Sequence, residues 1–197
     1  MQSTLSTSST LATPARSMVS SLPGRAAIVL SATLFVAACA HVSIPLPFTP
    51  VPLTLQNLAV LLVGLVLGPA AGFSAMVLYL AEGAMGLPVF NPAGTGGVLQ
   101  LLGPTGGYLL AYPLVALIAG WAFRSLPLKS LYGRAAVAGV LATTVLFAAG
   151  SFWMAHLLHL GAVAVWTMAI APFLPGEIVK IASAAGIAAS IHSWRRA

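Results

Sequence analysis

In a chain with only two acidic residues, Glu177 and Lys180 stand three apart in the stretch Pro-Gly-Glu-Ile-Val-Lys. Residues at that spacing share a helix face, so a carboxylate that only accepts and an ammonium that only donates would sit side by side. Pro175 and Gly176 come just before. A helix starting there places Glu177 in its first turn, where the backbone dipole favours negative charge. Inside an apolar helix, an ionisable pair is costly unless it faces a bundle interior, where it marks a ligand or ion pathway. A structural salt bridge is the competing explanation. As a binding device, the carboxylate would accept from paired N–H donors of a ligand, and the ammonium would donate to a carbonyl or carboxylate.

Other polar side chains are weighed against blander roles. Glu82, the remaining acid, either reaches the same cavity or snorkels to the membrane surface. Gln56 and Asn57 open a helix after a Pro-rich stretch, so their amides either line a cavity or cap the helix. His156 and His159 share a face, yet no carboxylate or cysteine is near them in sequence. With His41 and His192 they are read as interfacial, and no metal site is expected. Cys39, the single cysteine, reads as a packed thiol. The Gly-rich segments 94–97 and 103–108 invite a nucleotide reading, but a phosphate-binding loop needs G-x-x-x-x-G-K-[ST], and no Lys occurs between residues 26 and 128. ATP binding by this chain is therefore not expected, nor is any cofactor. An intramembrane enzyme is the weakest reading, because a nucleophile with its base, or a metal-ligand set, is missing.

The elements that must position these residues follow from composition. Apolar residues make up 59% of 197 and charged ones 5%, with a mean hydropathy of +1.03. Two acids and eight bases cannot cover the exterior of a water-soluble domain, so lipid is the solvent. The net charge of +6 is spread thinly along the chain, without the patch that nucleic-acid binding requires.

Apolar runs broken by Pro, Gly or basic residues predict helices near 26–44, 53–67, 70–87, 106–123, 135–158 and 174–193. The expected fold is all-α integral membrane, with six transmembrane helices in one domain over 25–197, after a disordered cytoplasmic tail of residues 1–24. With the amino terminus inside, Arg16, Arg25, Arg124, Lys129, Arg134, Arg195 and Arg196 all fall on the cytoplasmic side, which places both termini there. A seventh span over Leu160 to Leu174 would break that pattern, so this stretch is expected as an outer loop or half-helix. Two long uncharged connections, His41 to Pro52 and Gly86 to Thr105, cannot be regular helices throughout. Irregular backbone near membrane depth must be buried in protein or line a cavity, so these loops are expected to cap a ligand site.

At Pro50 to Gly68, Gly86 to Phe90, Gly103 to Tyr108 and Pro175 to Lys180, the chain resembles the BioY family, over roughly residues 26 to 195. That resemblance implies the S-component fold of energy-coupling factor (ECF) transporters. It also implies a subunit of the bacterial cytoplasmic membrane that captures biotin from outside for uptake. Its partners would be a transmembrane coupling subunit and two ATPase subunits, which bind the ATP and are dispensable in some family members. Glu177 and Lys180 match the family's Pro-Gly-Asp-x-x-Lys motif, with Glu lengthening the carboxylate arm by one methylene. Thr95, before Gly96 and Gly97, matches a position that carries a small polar side chain.

Biotin offers two ureido N–H donors, one carbonyl and an apolar bicyclic body. Glu177 would accept, Lys180 or Thr95 would donate, and Tyr108 and Phe90 would pack on the rings, with Gln56 in the same cavity. Small residues of helix one dock the coupling subunit in this transporter class, and Ser31, Ala32, Ala37 and Ala38 would supply them here. A carrier for another small vitamin and a structural membrane protein remain the alternatives.

Overall fold

The computed structural model describes residues 22–196. Residues 1–21, most of the expected tail and Arg16 with them, lie outside the described residues. Helix α1 (Leu22–His41) begins and ends a few residues earlier than expected, with Pro23 in its first turn, where a missing N–H does no harm. The chain then forms a short antiparallel ribbon that sequence reading did not foresee. In it β1 (Ser43–Ile44) pairs with β2 (Leu53–Thr54), and Ser43 stands opposite Thr54. The proline-rich stretch between them is thereby closed into a hairpin.

Helices α2 (Gln56–Leu67) and α3 (Pro69–Ala84) form the expected hairpin about Gly68, whose φ of +89° suits glycine and few other residues. A short α4 (Gly97–Leu102) interrupts the second long connection, and α5 (Gly106–Ser125) follows. Helix α6 (Leu131–Leu157) starts four residues before its expected position because Ser130 caps it, accepting from Gly133 N at 3.1 Å.

The stretch expected as an outer loop or half-helix is helical almost throughout. It consists of α7 (Ala162–Val165), a π turn (Trp166–Ile170) and a 3₁₀ turn (Ala171–Phe173), leading into α8 (Leu174–Trp194). Pro172 accounts for the change of winding, since its ring crowds the carbonyl four residues back, that of Met168. That carbonyl is turned outward and accepts from Thr49 Oγ1 at 2.7 Å, tying the proline-rich hairpin to the π turn.

Among the described residues, four helical runs are long and apolar enough to cross a membrane, namely Leu22–His41, Gly106–Ser125, Leu131–Leu157 and Ala162–Trp194. With 12 and 16 residues, α2 and α3 are shorter. Helix α2 is the centre of the molecule, with nearly every residue from Gln56 to Leu65 buried, which fits its being apolar all round. Small residues let its neighbours approach to backbone contact. A Cβ on Gly64 would strike the Ala116 carbonyl, and one on Gly120 would lie 2.6 Å from the Gly64 carbonyl. One end of the bundle carries Arg25, Arg124, Lys129, Arg134, Arg195 and Arg196. There Arg124 Nη2 donates to Leu67 O at 3.3 Å, Arg134 Nε donates to Phe123 O at 3.0 Å and stacks on the Phe123 ring, and His192 reaches Leu65 O.

On α1 the face turned into the bundle holds Ala32, Thr33, Val36, Ala37 and Ala40, whereas Ser31 and Ala38 are exposed. The four small residues expected to share a docking face are therefore divided. Ala32 and Ala37 are buried against the neighbouring helices, and Ser31 and Ala38, seven apart, share the outer face.

Candidate functional site

A cavity of about 570 Å³ lies at the end of the bundle opposite the arginines, within the ~300–1,000 Å³ typical of small-molecule sites. The proline-rich hairpin covers it through Pro45, Thr49, Pro50 and Pro52, and the Gly-rich connection through Gly94, Thr95, Gln100 and Gly103. Gln56 and Asn57 at the start of α2, Tyr108 and Tyr112 of α5, Leu146 and Phe147 of α6, and Glu177 and Lys180 of α8 complete the wall. Most of that wall is apolar, and Asn57, Glu177 and Lys180 form one hydrogen-bonded polar region in it.

The centre of that region is Glu177, 5% exposed, beside Lys180, 6% exposed. Pro175 and Gly176 place Glu177 in the first turn of α8, and the three-residue spacing brings Lys180 Nζ to 2.6 Å from Glu177 Oε1. The other carboxylate oxygen accepts from Asn57 Nδ2 at 2.5 Å, across 120 residues of sequence. Asn57 Nδ2 also lies 3.5 Å from Thr143 Oγ1, while Asn57 Oδ1 is buried without a partner. The arrangement is a carboxylate held from both sides by donors, with two further ammonium protons on Lys180 and one amide acceptor left to satisfy.

Gln56 lines the cavity, and its Nε2 donates to Tyr79 Oη at 2.7 Å, whose hydroxyl in turn donates to Val89 O. Neither Gln56 nor Asn57 caps its helix: the capping position belongs to Leu55, without a side-chain bond. Tyr108 also lines the cavity, and its hydroxyl donates to Ala169 O in the π turn at 2.8 Å. Thr95 is exposed at the rim.

Other expected residues lie elsewhere. Gly96 and Gly97 are beside the cavity rather than on its wall; with φ of +70° and +59° they turn the chain into α4, and Gly96 N donates to Gln100 Oε1. Phe90 does not line the cavity: its ring packs over Gly83 and meets Tyr79 edge-on at 5.4 Å. Glu82 is also away from the cavity, accepting from Thr33 Oγ1 of α1 at 3.1 Å. Among the described residues, no three His, Cys, Asp or Glu side chains converge as a metal site.

Sequence reading missed Asn91, Gln100 and Tyr112. All three are buried and line the cavity. Asn91 O accepts from Gln100 Nε2 at 3.4 Å, and two buried amide side chains in an uncharged loop are a signal that could have been used. Tyr112 carried none, since its type and helical position suit the core equally well.

The model of the BioY family matches residues 8–197. A probable biotin transporter BioY of Pyrococcus horikoshii is 40% identical over 143 residues, covering 71% of this chain and 79% of that one. The biotin transporter BioY of Rhodobacter capsulatus is 35% identical over 179 residues, covering 85% and 92%. Among solved structures, the S-component for biotin from an ECF-type ABC transporter superposes with a TM-score of 0.78 at 24% identity, over 86% of this chain and 90% of that one. At that identity the likeness is one of fold. The family match over almost the whole length, with relatives above 30% identity across most of it, shows that this membrane protein belongs to the BioY family.

Proposed function

We propose that the chain captures biotin and carries it across the bacterial cytoplasmic membrane as the substrate-binding subunit of an ECF-type transporter. The observation that carries this reading is the Glu177–Lys180 pair, with Asn57 at its side, in a cavity otherwise suited to an apolar body. A ureido ring matches that polar cluster. Its carbonyl accepts from Lys180, and its N–H groups are taken up by Glu177 and by Asn57 Oδ1 after a small rotation of the amide. Tyr108, Leu146 and Phe147 offer apolar surface to the fused rings, and the valerate carboxylate lies toward the mouth, near Thr95.

In this reading α1, α2, α3, α5, α6 and α8 are six spans with both termini cytoplasmic. The arginine-bearing end is inside, as the distribution of Lys and Arg favours. The coupling subunit docks on α1 through the face of Ser31 and Ala38, and the two ATPases bind the ATP. A filled bundle, the expectation for a structural protein, fits a cavity of this size poorly.

The test is equilibrium binding to the detergent-purified chain, with desthiobiotin, riboflavin and thiamine as comparisons. Selective biotin binding, lost in Glu177→Ala, is expected. Absence of binding in well-folded protein, or tighter binding of riboflavin or thiamine, would sink the assignment.

A further inference from the structure

On the side of the bundle away from the biotin cavity, α1, α2 and α8 enclose a second concavity of about 430 Å³. Its wall is almost wholly apolar, built by Ile28, Phe35, Leu62, Val66, Leu67 and Ile191, and Ala27, Ser31 and Ala32 also line it. It follows α1 from Ala27 to Phe35, eight residues or about 12 Å. One leaflet of a bilayer core is about 15 Å deep. The groove therefore matches a single leaflet and ends at the basic face of the protein.

Arginines of α1, α5 and α8 stand at that end. Arg25 lies one turn before Ile28 on α1, and Arg195 lies one turn past Ile191 at the end of α8. Arg124 donates to the carbonyl of Leu67, itself a wall residue, and Arg25, Arg124 and Arg195 are all exposed. Neither acid neutralises them. Glu177 is in the first turn of α8, at its other end, and Glu82 is two residues from the distant end of α3. An apolar slot one leaflet deep, with uncompensated guanidinium groups at its polar mouth, has the chemistry of a lipid seat, because guanidinium forks match phosphate oxygens.

We propose that this groove holds one anionic phospholipid, an acyl chain lying along α1 and the phosphate between Arg25 and Arg195. The inference rests on the membrane reading alone and is independent of biotin. Ser31 belongs both to this groove and to the face proposed for the coupling subunit, so a docking subunit has to displace the lipid.

The full chain in detergent is equilibrated with equal amounts of phosphatidylglycerol and phosphatidylcholine, and retained lipid is counted by native mass spectrometry. A phosphatidylglycerol carrying a photoreactive acyl chain then locates the site. The wild type is expected to retain one phosphatidylglycerol, with a preference of about 30-fold from two arginine charges. Arg25→Gln with Arg195→Gln should lose the preference, and Ala27→Trp, which fills the groove, should lose retention, with wild-type helix content by circular dichroism and a single symmetrical elution peak in both as the check on folding. Crosslinks should fall on α1 and α2. Equal retention of the two lipids, undiminished retention in Ala27→Trp, or crosslinks outside the groove would overturn the proposal. So would a photoreactive residue placed at Ile28 that crosslinks to residues 1–21 in place of lipid.

Discussion

Removing the Lys180 ammonium tests whether the buried pair is there for the ligand or for the fold. In Lys180→Met the Glu177 carboxylate stays 5% exposed with Asn57 Nδ2 as its remaining donor. Breaking a buried pair in this way destabilises by about 3–5 kcal/mol, because a charge is left without compensation, whereas replacing both members by neutral groups is often close to neutral. The double variant Glu177→Gln/Lys180→Met should therefore recover most of the thermal stability that Lys180→Met loses.

Binding should not recover with it. A hydrogen bond from a charged donor contributes about 1.5–3 kcal/mol, which predicts a biotin affinity lower by about 10- to 150-fold in both variants. Thermal unfolding of the ligand-free proteins in nanodiscs, beside calorimetric titration with biotin, separates the two effects. Wild-type affinity in the double variant would refute the reasoning, since the pair would then be structural. Equal stability of Lys180→Met and wild type would refute the claim that the carboxylate depends on its ammonium partner.

Three further outcomes follow from the same geometry. Thr49→Val removes the bond to Met168 O that holds the hairpin to the π turn, and with it the local acceptor of Val51 N; the bond between the two elements alone, at ~0.5–1.5 kcal/mol, predicts biotin leaving about 2- to 10-fold faster in stopped-flow measurement. In Gly150→Ala the new methyl meets the Tyr108 ring, whose hydroxyl bonds Ala169 O. Overpacking of this kind costs about 1–3 kcal/mol, and both a lower unfolding midpoint and weaker biotin binding are expected. Glu82→Gln keeps an acceptor for Thr33, and neither residue lines the cavity, so biotin affinity should stay within about 1.5-fold of wild type, below the effect of one lost hydrogen bond.

The sequence made local relationships readable and left long-range ones hidden. The spacing of Glu177 and Lys180 was enough to pair them, because three residues of helix fix a shared face. The prolines of the first connection were enough to forbid a helix over the cavity, and the chain there does fold as an irregular hairpin. Asn57 was legible as a polar residue in an apolar helix, yet its bond to Glu177 crosses 120 residues, which no local pattern encodes. Phe90 was misplaced because an aromatic ring is equally at home against Gly83 and against a ligand. The inward face of helix α1 was hidden for a reason peculiar to lipid: with apolar surroundings inside and outside, alanines on both faces carry no directional signal, and the burial of Ala32 and Ala37 could not be told from the exposure of Ser31 and Ala38. The winding of residues 166–173 depended on Pro172 meeting a carbonyl that Thr49 was in position to accept, a three-body condition outside any sequence window.

Helix α2 has 12 residues, which at 1.5 Å each measures about 18 Å, against a hydrocarbon core of about 30 Å. Its first two residues line the cavity under the proline-rich hairpin, and its last meets the arginine-bearing face at Leu67. In the six-span arrangement proposed above, the wall between the two sides at this point is little more than half as thick as the surrounding bilayer. A molecule resting on Gln56 and Asn57 would then have about 18 Å of helix between it and the arginine-bearing face.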